Sequence, residues 1–247
     1  MQFQKSAAVV TFVVSVVSVI GVCEADESKE NEKVLRHAVF FKFKDGTSDA
    51  DIAKVVAAFD ELPKKVDSIK DYQRGPNVSP IGFNDEYTHC FLVTFADEAE
   101  RAKYLPHPDH KAFGNVLRPH LDKVFVVDYW GTPEKDRKQR ELKHALFLKF
   151  KADTSKEQVK EVEDALVKLA QHSDTIKSFE WGKNNSPEKH DEGFTDCFMF
   201  TFDDTKGLKE YAASPEHKAV IPKIVAAAEK ARVLDFWTKD KPASESK

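Results

Sequence analysis

The sequence has no large excess of charge of either sign, and its long apolar runs are confined to one place. Its 38 Lys and Arg residues nearly balance 42 Asp and Glu residues, which gives a formal net charge of −4. This balance provides no electrostatic basis for binding nucleic acid or an anionic membrane surface. We therefore expect neither partner, and the one long apolar run, Ala7–Val22, is considered separately below.

Cysteine is also scarce, with 3 residues in 247. Loss of the N-terminal segment described next would leave Cys90 and Cys197, which are enough for one disulfide bond in an exported protein. Both lie in the middle of apolar, strand-like runs, where a buried thiol behaves as a small hydrophobic side chain. We expect two free, buried cysteines, with a disulfide bond as the alternative.

The N-terminal segment has the composition of a secretory signal peptide. Lys5 precedes the apolar run, and Cys23-Glu24-Ala25 supplies a small-x-small ending. We expect residues 1–25 to be cleaved, the mature protein to be exported to the periplasm or the extracellular space, and no stable membrane insertion afterwards. The alternatives are a retained anchor, for which the run is short, and lipid attachment at Cys23, for which Val22 is a large neighbour.

The remaining chain contains two copies of one sequence unit, with a period of 107 residues. The copies match without a gap from about residue 35 to 130, a span typical of a small domain. Matching pairs include His37 with His144, Tyr104 with Tyr211, Pro108 with Pro215, His110 with His217, and Trp130 with Trp237. A match of this length indicates duplication of a domain.

Each copy has the pattern strand, helix, strand, strand, helix, strand. In the first copy we expect strands at 35–44, 69–75, 87–95 and 123–130, a helix capped by Ser48 or Asp49 that ends near Pro63, and a helical region at 97–120. This order is the ferredoxin-like βαββαβ unit of the α+β class, in which both helices cover one face of the sheet. Two such sheets can cover each other, so we expect an intramolecular α/β barrel and a monomer.

The domain boundaries follow from this reading. We expect a flexible start at 26–33, a first repeat at 34–130, a charged linker at 131–140, a second repeat at 141–238 and a disordered tail at 239–247.

One short segment, Tyr104-Leu-Pro-His-Pro-Asp-His110, contains a phenol and two imidazoles. Pro108 suits the first position of a helix, which makes His107 the N-cap and places His110 at about the third position. The helix dipole disfavours an imidazolium ion there, so a neutral His110 can act as a general base and Tyr104 as a proton donor. In the alternative interpretation, Tyr104 packs under the helix and His110 binds a backbone carbonyl.

These residues resemble the stress-responsive A/B barrel domain, also called the dimeric α/β barrel family. The matching features are His37-x-Val39-x-Phe41-Lys-Phe-Lys44, Thr88-His89, Tyr104-x-x-His-Pro-x-His110-x-x-Phe113 and Val127-Asp128-Tyr129, and the likeness covers nearly all of both copies. The resemblance implies homodimer-like pairing of the two repeats. It also implies a site like that of a plant polyketide cyclase of this family, which needs no cofactor and whose catalytic Tyr and His correspond to Tyr104 and His110.

The predicted sites follow from the two copies together. The catalytic candidates are Tyr104, His110, Tyr211 and His217, and the candidates for lining a ligand pocket are His37, His89, His107, His144 and Asp196. In the second copy Ser214 replaces His107 and Asp196 replaces His89, so that pocket has either drifted to a structural role or binds a different ligand.

Three functions fit the residues. The first is a cofactor-independent lyase or cyclase acting on a small polyketide-like or aromatic compound. The second is a barrel that binds a small hydrophobic or aromatic ligand without turnover, or that serves a structural role under stress. The third is a zinc or copper site built from the first copy's histidines, which lacks a carboxylate or cysteine at ligand spacing. We expect no metal and no cofactor.

Overall fold

The computed structural model describes residues 33–134 and 140–238. The predicted signal peptide, most of the predicted flexible start, part of the predicted linker and the predicted tail lie outside the described residues. The first repeat contains β1 (Val34–Phe43), α1 (Asp49–Asp60), α2 (Leu62–Lys65), β2 (Ile69–Pro76), β3 (His89–Phe95), α3 (Glu98–Tyr104), α4 (Pro108–Leu117) and β4 (Leu121–Gly131). The second contains β5 (Leu142–Phe150), α5 (Lys156–Gln171), β6 (Ser178–Lys183), β7 (Asp196–Phe202), α6 (Thr205–Ala213), α7 (Pro215–Ala227) and β8 (Ala228–Trp237).

The two repeats form two four-stranded sheets of the same topology. The strand orders are β2-β3-β1-β4 and β6-β7-β5-β8, and all the neighbouring pairs are antiparallel. This is the predicted ferredoxin-like arrangement, and the predicted α+β fold class is confirmed. The helix start at Ser48 is also confirmed, because its side chain accepts a hydrogen bond from the backbone N–H of Asp51.

The period-two pattern of the strands explains how the layers pack. In β1, Leu35, Val39 and Phe41 face the helices of their own repeat, whereas Ala38 and Phe40 face the other sheet. The inter-sheet core joins both copies, with Phe40 and Phe125 of the first packed against Phe147 of the second at ring centroid distances of 5.3 and 5.0 Å. Each sheet therefore covers the face that the other leaves bare, as predicted.

Several predicted strand boundaries differ from those observed by one or two residues. The third strand begins at His89 rather than Tyr87, because Tyr87 belongs to the preceding turn and its backbone N–H bonds to the carbonyl of Asn84. Helix α1 ends at Asp60, close to Pro63 as predicted, and Pro63 itself occupies one of the first positions of the additional short helix α2. Proline is tolerated there because the first N–H groups of a helix have no intrahelical partner.

The two cysteines lie in the inter-sheet core. Cys90 and Cys197 are both free and fully buried, so the prediction of unpaired thiols is confirmed. Burial raises the pKa of both thiols well above the usual value and keeps them in the neutral form. Over the two described ranges, no helix has the length and apolar character needed to cross a membrane.

Gly75 lies where β2 crosses the end of β8. A Cβ atom added at Gly75 would collide with the backbone carbonyl oxygen of Trp237, which cannot move without displacing the strand. We expect Gly75→Ala to lower the free energy of unfolding by about 1–3 kcal/mol, the usual cost of overpacking. Urea denaturation measures this change, and Gly82→Ala is the matched control because a Cβ there meets no atom within 4 Å. Equal urea midpoints for the two variants would contradict the contact.

Candidate functional site

The segment after β3 forms two helices around a proline turn. Helix α3 ends at Tyr104, and α4 begins at Pro108 with His107 as its N-cap. The ring nitrogen of His107 accepts a hydrogen bond from the backbone N–H of Asp109 at 3.2 Å, and His110 takes the third helical position. The predicted local geometry is therefore confirmed. Along α4, Phe113 and Leu117 are buried, whereas Val116 is 40% exposed.

A cavity of about 220 Å³ lies between the first sheet and α4. Its polar end contains three of the predicted site residues: His37 from β1, Tyr104 and His110. Its remaining walls are mostly apolar and include Val39, Phe41, Phe59, Phe113, Leu117, Leu121, Val124 and Val126. An apolar cavity of about 150 Å³ accepts a benzene ring, so this one has room for a substituted ring.

Tyr104 and His110 lie against each other at the polar end of this cavity. Their ring centroids are 4.3 Å apart, and Tyr104 is 1% exposed. The Nδ1 atom of His110 lies 3.0 Å from the carbonyl oxygen of Leu105. A carbonyl can only accept a hydrogen bond, so Nδ1 carries the proton and Nε2 retains a lone pair. The alternative interpretation expected Tyr104 to pack under the helix and His110 to bind a backbone carbonyl, and both contacts are present. The same carbonyl bond leaves Nε2 of a neutral His110 available as a base.

The titration behaviour of the pair fits a neutral base and a neutral acid. Burial lowers the pKa of His110 below its usual value, against smaller raising effects of the Leu105 carbonyl and of Glu188. This direction agrees with the neutral state expected from the sequence, and burial is its largest cause. Burial also raises the pKa of Tyr104 far above its usual value, so the phenol keeps its proton.

His37 is held by a buried carboxylate that also holds an arginine. Its Nδ1 atom lies 2.7 Å from one oxygen of Asp128, and Nη1 of Arg101 donates to the other oxygen at 2.7 Å. All three side chains are buried, and Asp128 is 0% exposed. Burial alone would lower the pKa of His37, but Asp128 and, less strongly, Glu188 keep that pKa above its usual value. His37 therefore has a fixed orientation and a cationic tendency.

The second repeat contributes to the first repeat's cavity. Residues 184–193, called loop 184–193 below, place Glu188 and His190 in the cavity lining. The loop is tied to β4, since Val126 N–H donates to the carbonyl of His190 at 3.1 Å and Asp128 N–H donates to Oδ1 of Asn184 at 3.1 Å. Sequence reasoning missed Glu188 and His190, and the only available signal was the difference between copies at these positions.

The second repeat has the same three side chains but different surroundings. His144 is 2.6 Å from Asp235, and the rings of Tyr211 and His217 are 4.7 Å apart. Leu208 stands where the first repeat has Arg101, and Oδ2 of Asp235 has no hydrogen-bond partner within the described residues. Burial lowers the pKa of His217, as it does for His110. The second set is therefore only partly equivalent to the first.

His89 does not share the cavity of Tyr104, and this prediction is corrected. His89 pairs with Phe41 across the sheet, four residues along β1 from His37, which corresponds to about 13 Å. Its ring packs edge-on against Phe43 at 5.0 Å, and it lines a separate surface pocket beside α1. The two histidines face the same side of the sheet, but they lie at different ends.

The pocket roles predicted for His107 and Asp196 are corrected as well. His107 caps α4, with its side chain partly exposed, and is absent from the cavity lining. Asp196 is fully buried and accepts hydrogen bonds from Lys183 at 2.7 Å and Thr195 at 2.6 Å. It therefore neutralises a lysine and does not orient His144.

The first repeat's histidines do not converge on one point, since His89 and His107 lie apart from His37 and His110. Across residues 33–134 and 140–238, no group of three or more His, Cys, Asp or Glu side chains is arranged to hold a metal ion.

Comparison with known proteins matches both repeats to one family. The profile of the stress responsive A/B barrel domain matches residues 35–131 and again residues 142–238. The A/B barrel protein HS1 of Arabidopsis thaliana is 32% identical over 104 residues, which are 42% of this chain and 95% of HS1. Olivetolic acid cyclase of Cannabis sativa is 31% identical over 101 residues, which are 41% of this chain and 98% of that protein.

Similar solved structures support the fold of the pair of repeats. A crystal structure described as a putative monooxygenase from Fusobacterium nucleatum matches with a TM-score of 0.58 and 10% identity, over 86% of this chain and 96% of that one. A second, from Lactobacillus acidophilus, matches with a TM-score of 0.53 and 8% identity, over 85% and 97% of the two chains. At these identities the likeness shows a shared fold alone.

Proposed function

Because the chain belongs to the stress-responsive A/B barrel family, with two domains in tandem, we propose that its first-repeat cavity is the site of a cofactor-independent lyase or cyclase. The substrate class is a small polyketide-like or aromatic compound. One observation carries the proposal: His110, whose Nδ1 is bound to a backbone carbonyl, and Tyr104 lie together in a cavity whose other walls are mostly apolar. The likeness to a cyclase over nearly that protein's whole length supports the reaction class.

The proposed chemistry is proton transfer at carbon next to a carbonyl group. His110 removes a proton from an acidic C–H through Nε2, and Tyr104 donates a hydrogen bond to the oxygen on which the enolate charge develops. Asp128 raises the pKa of His37, and the protonated His37 ring adds positive charge at the same end. The enolate carbon then attacks a second carbonyl of the same molecule, and the proton held by His110 returns to the new alkoxide.

The cavity walls favour this chemistry because they are largely apolar. Phe41, Phe59 and Phe113 surround the ligand space and contact one another, with ring centroids of Phe59 and Phe113 4.7 Å apart. In such surroundings a hydrogen bond to a developing charge is stronger than in water. Flat aromatic walls also suit a substrate that becomes a ring.

We also propose that the chain acts as a monomer. The bare face of each sheet is already buried against the other repeat, so neither needs a second chain to cover it.

Incubation with a synthetic linear poly-β-ketone tests the proposed reaction. We expect formation of a cyclised product, detected by liquid chromatography with mass spectrometry, faster than in buffer or with boiled protein. Tight binding of the linear compound without any ring product would contradict the enzymatic proposal and favour a barrel that only holds a small ligand.

A further inference from the structure

Glu188 presents an unused hydrogen-bond acceptor to the first-repeat cavity. Its Oε2 atom is buried and accepts no hydrogen bond from any residue of the described ranges 33–134 and 140–238. The nearest ion-pair partner is Nε2 of His37, at 3.8 Å, which is beyond hydrogen-bond distance. A buried acceptor without a partner costs free energy, so a ligand group that supplies a donor there is stabilised.

The position of Glu188 is fixed by the backbone on both sides. Asn185 N–H donates to the carbonyl of Asp128 at 2.9 Å, and Nη1 of Arg101 donates to Oδ1 of Asn185 at 2.9 Å. On the other side, the carbonyl of His190 accepts from Val126. Loop 184–193 is thus anchored to the same Asp128 and Arg101 that hold His37, and Glu188 stands at a defined distance from that ring.

One oxygen atom of a ligand can use both groups. Because Nδ1 of His37 binds Asp128, its Nε2 is the atom that faces Glu188, and Nε2 carries a proton whenever the ring is in its protonated form. An oxygen placed about 2.8 Å from both atoms can accept from His37 and donate to Glu188. Hydroxyl groups combine these two roles, whereas ether and ketone oxygens only accept.

The corresponding loop over the second repeat has no such group. Residues 77–86, called loop 77–86, place Ile81 at the position of Glu188 and Phe83 at the position of His190. Loop 77–86 docks in the same way, since Val233 N–H donates to the carbonyl of Phe83 at 2.9 Å. In a symmetric homodimer identical loops would cover both pockets, so fusion in one chain has allowed the two to differ.

We propose that Glu188 accepts a hydrogen bond from a hydroxyl group of the ligand, and that loop 184–193 thereby selects phenols or enols for the first-repeat cavity. The inference rests on the proposed function in taking the ligand to be a small ring or ring precursor. The inference specifies a hydroxyl substituent on the ligand. It also identifies Glu188, a residue of the second repeat, as the group that recognises this hydroxyl.

Binding of two probes of similar size to the full chain tests the proposal without requiring turnover. Resorcinol carries two hydroxyl donors, and 1,3-difluorobenzene replaces them with fluorine atoms that donate nothing. We expect Glu188→Gln to weaken resorcinol binding about tenfold, because a charged acceptor becomes neutral, and to leave difluorobenzene binding unchanged. Calorimetric or NMR titration gives both dissociation constants. Ile81→Gln, at the equivalent position of loop 77–86, is the matched control and should change neither.

Three binding results would overturn the proposal: equal losses for both probes, no loss for either, or no resorcinol binding by the unsubstituted protein. A lowered unfolding temperature for Glu188→Gln would assign a structural role to the side chain and would overturn the proposal too. Failure of the proposed function gives a different result. In that case resorcinol binding still depends on Glu188, but the protein forms no ring product from a linear poly-β-ketone.

Discussion

Replacing His110 with alanine should lower the rate of ring closure about 10²–10⁴-fold, the usual contribution of a positioned acid or base. The reason is the loss of the proposed base, an imidazole whose Nδ1 is bound to the carbonyl of Leu105, which leaves Nε2 to take the substrate's proton. Steady-state kinetics on a linear poly-β-ketone measures the effect. Tyr104→Phe should lower kcat in the same direction and leave the dissociation constant of difluorobenzene unchanged, because the ring that forms the wall is kept.

The pH dependence of the same reaction follows from the lowered pKa of His110. The base is active when neutral, so the rate falls as pH decreases through that pKa, below about 6.5. The equivalent variant His217→Ala shows which of the two pockets carries the reaction. A loss equal to that of His110→Ala would contradict placement of the reaction in the first repeat.

Removing the carboxylate of Asp128 should produce the largest loss of stability. Asp128→Ala leaves His37 and Arg101 buried without their shared partner, and breaking a buried ion pair in this way costs about 3–5 kcal/mol. Urea denaturation at pH 6 measures the free energy of unfolding. The matched variant is Asp235→Ala, whose carboxylate holds His144 but has Leu208 where Arg101 would be, so its cost should be clearly smaller. Equal costs would contradict the role of Arg101.

The stability difference between the unsubstituted protein and Asp128→Ala should itself depend on pH. The pKa of His37 is raised in the folded protein, so the His37 contribution is full below about 6.5 and is lost as pH rises through the raised value. The pKa of Asp128 is lowered, so its contribution is present above about 3.9 and is lost as pH falls through the lowered value. The difference should therefore be greatest between about pH 4 and 6.5. The part due to Arg101 should persist at higher pH.

The sequence predicted those features that depend on neighbours along the chain. Pro108 identified the start of α4. The short spacing between Tyr104 and His110 indicated that their rings lie close together. The duplication predicted the barrel, because a sheet with one bare face needs a second sheet.

The parts that could not be predicted depend on register and on contacts between distant segments. His89 and His37 share a sheet face, yet strand pairing sets His89 opposite Phe41 and away from the cavity. Arg101 lies in a helix that looks polar in sequence, and only the fold shows that it reaches Asp128. Glu188 enters the first repeat's cavity from the second repeat, and no local pattern encodes that contact.

The most direct test of the site in the first repeat is a nitrogen-15 NMR spectrum of the histidine side chains, recorded at pH 7 without and with resorcinol. We expect His110 to be neutral with its proton on Nδ1, because burial lowers its pKa and Leu105 fixes the tautomer. Added resorcinol should shift the signals of His37 and His110 and leave that of His89 unchanged. A charged His110, a proton on Nε2, or a titration in which His37 and His110 do not respond would contradict a ligand site there.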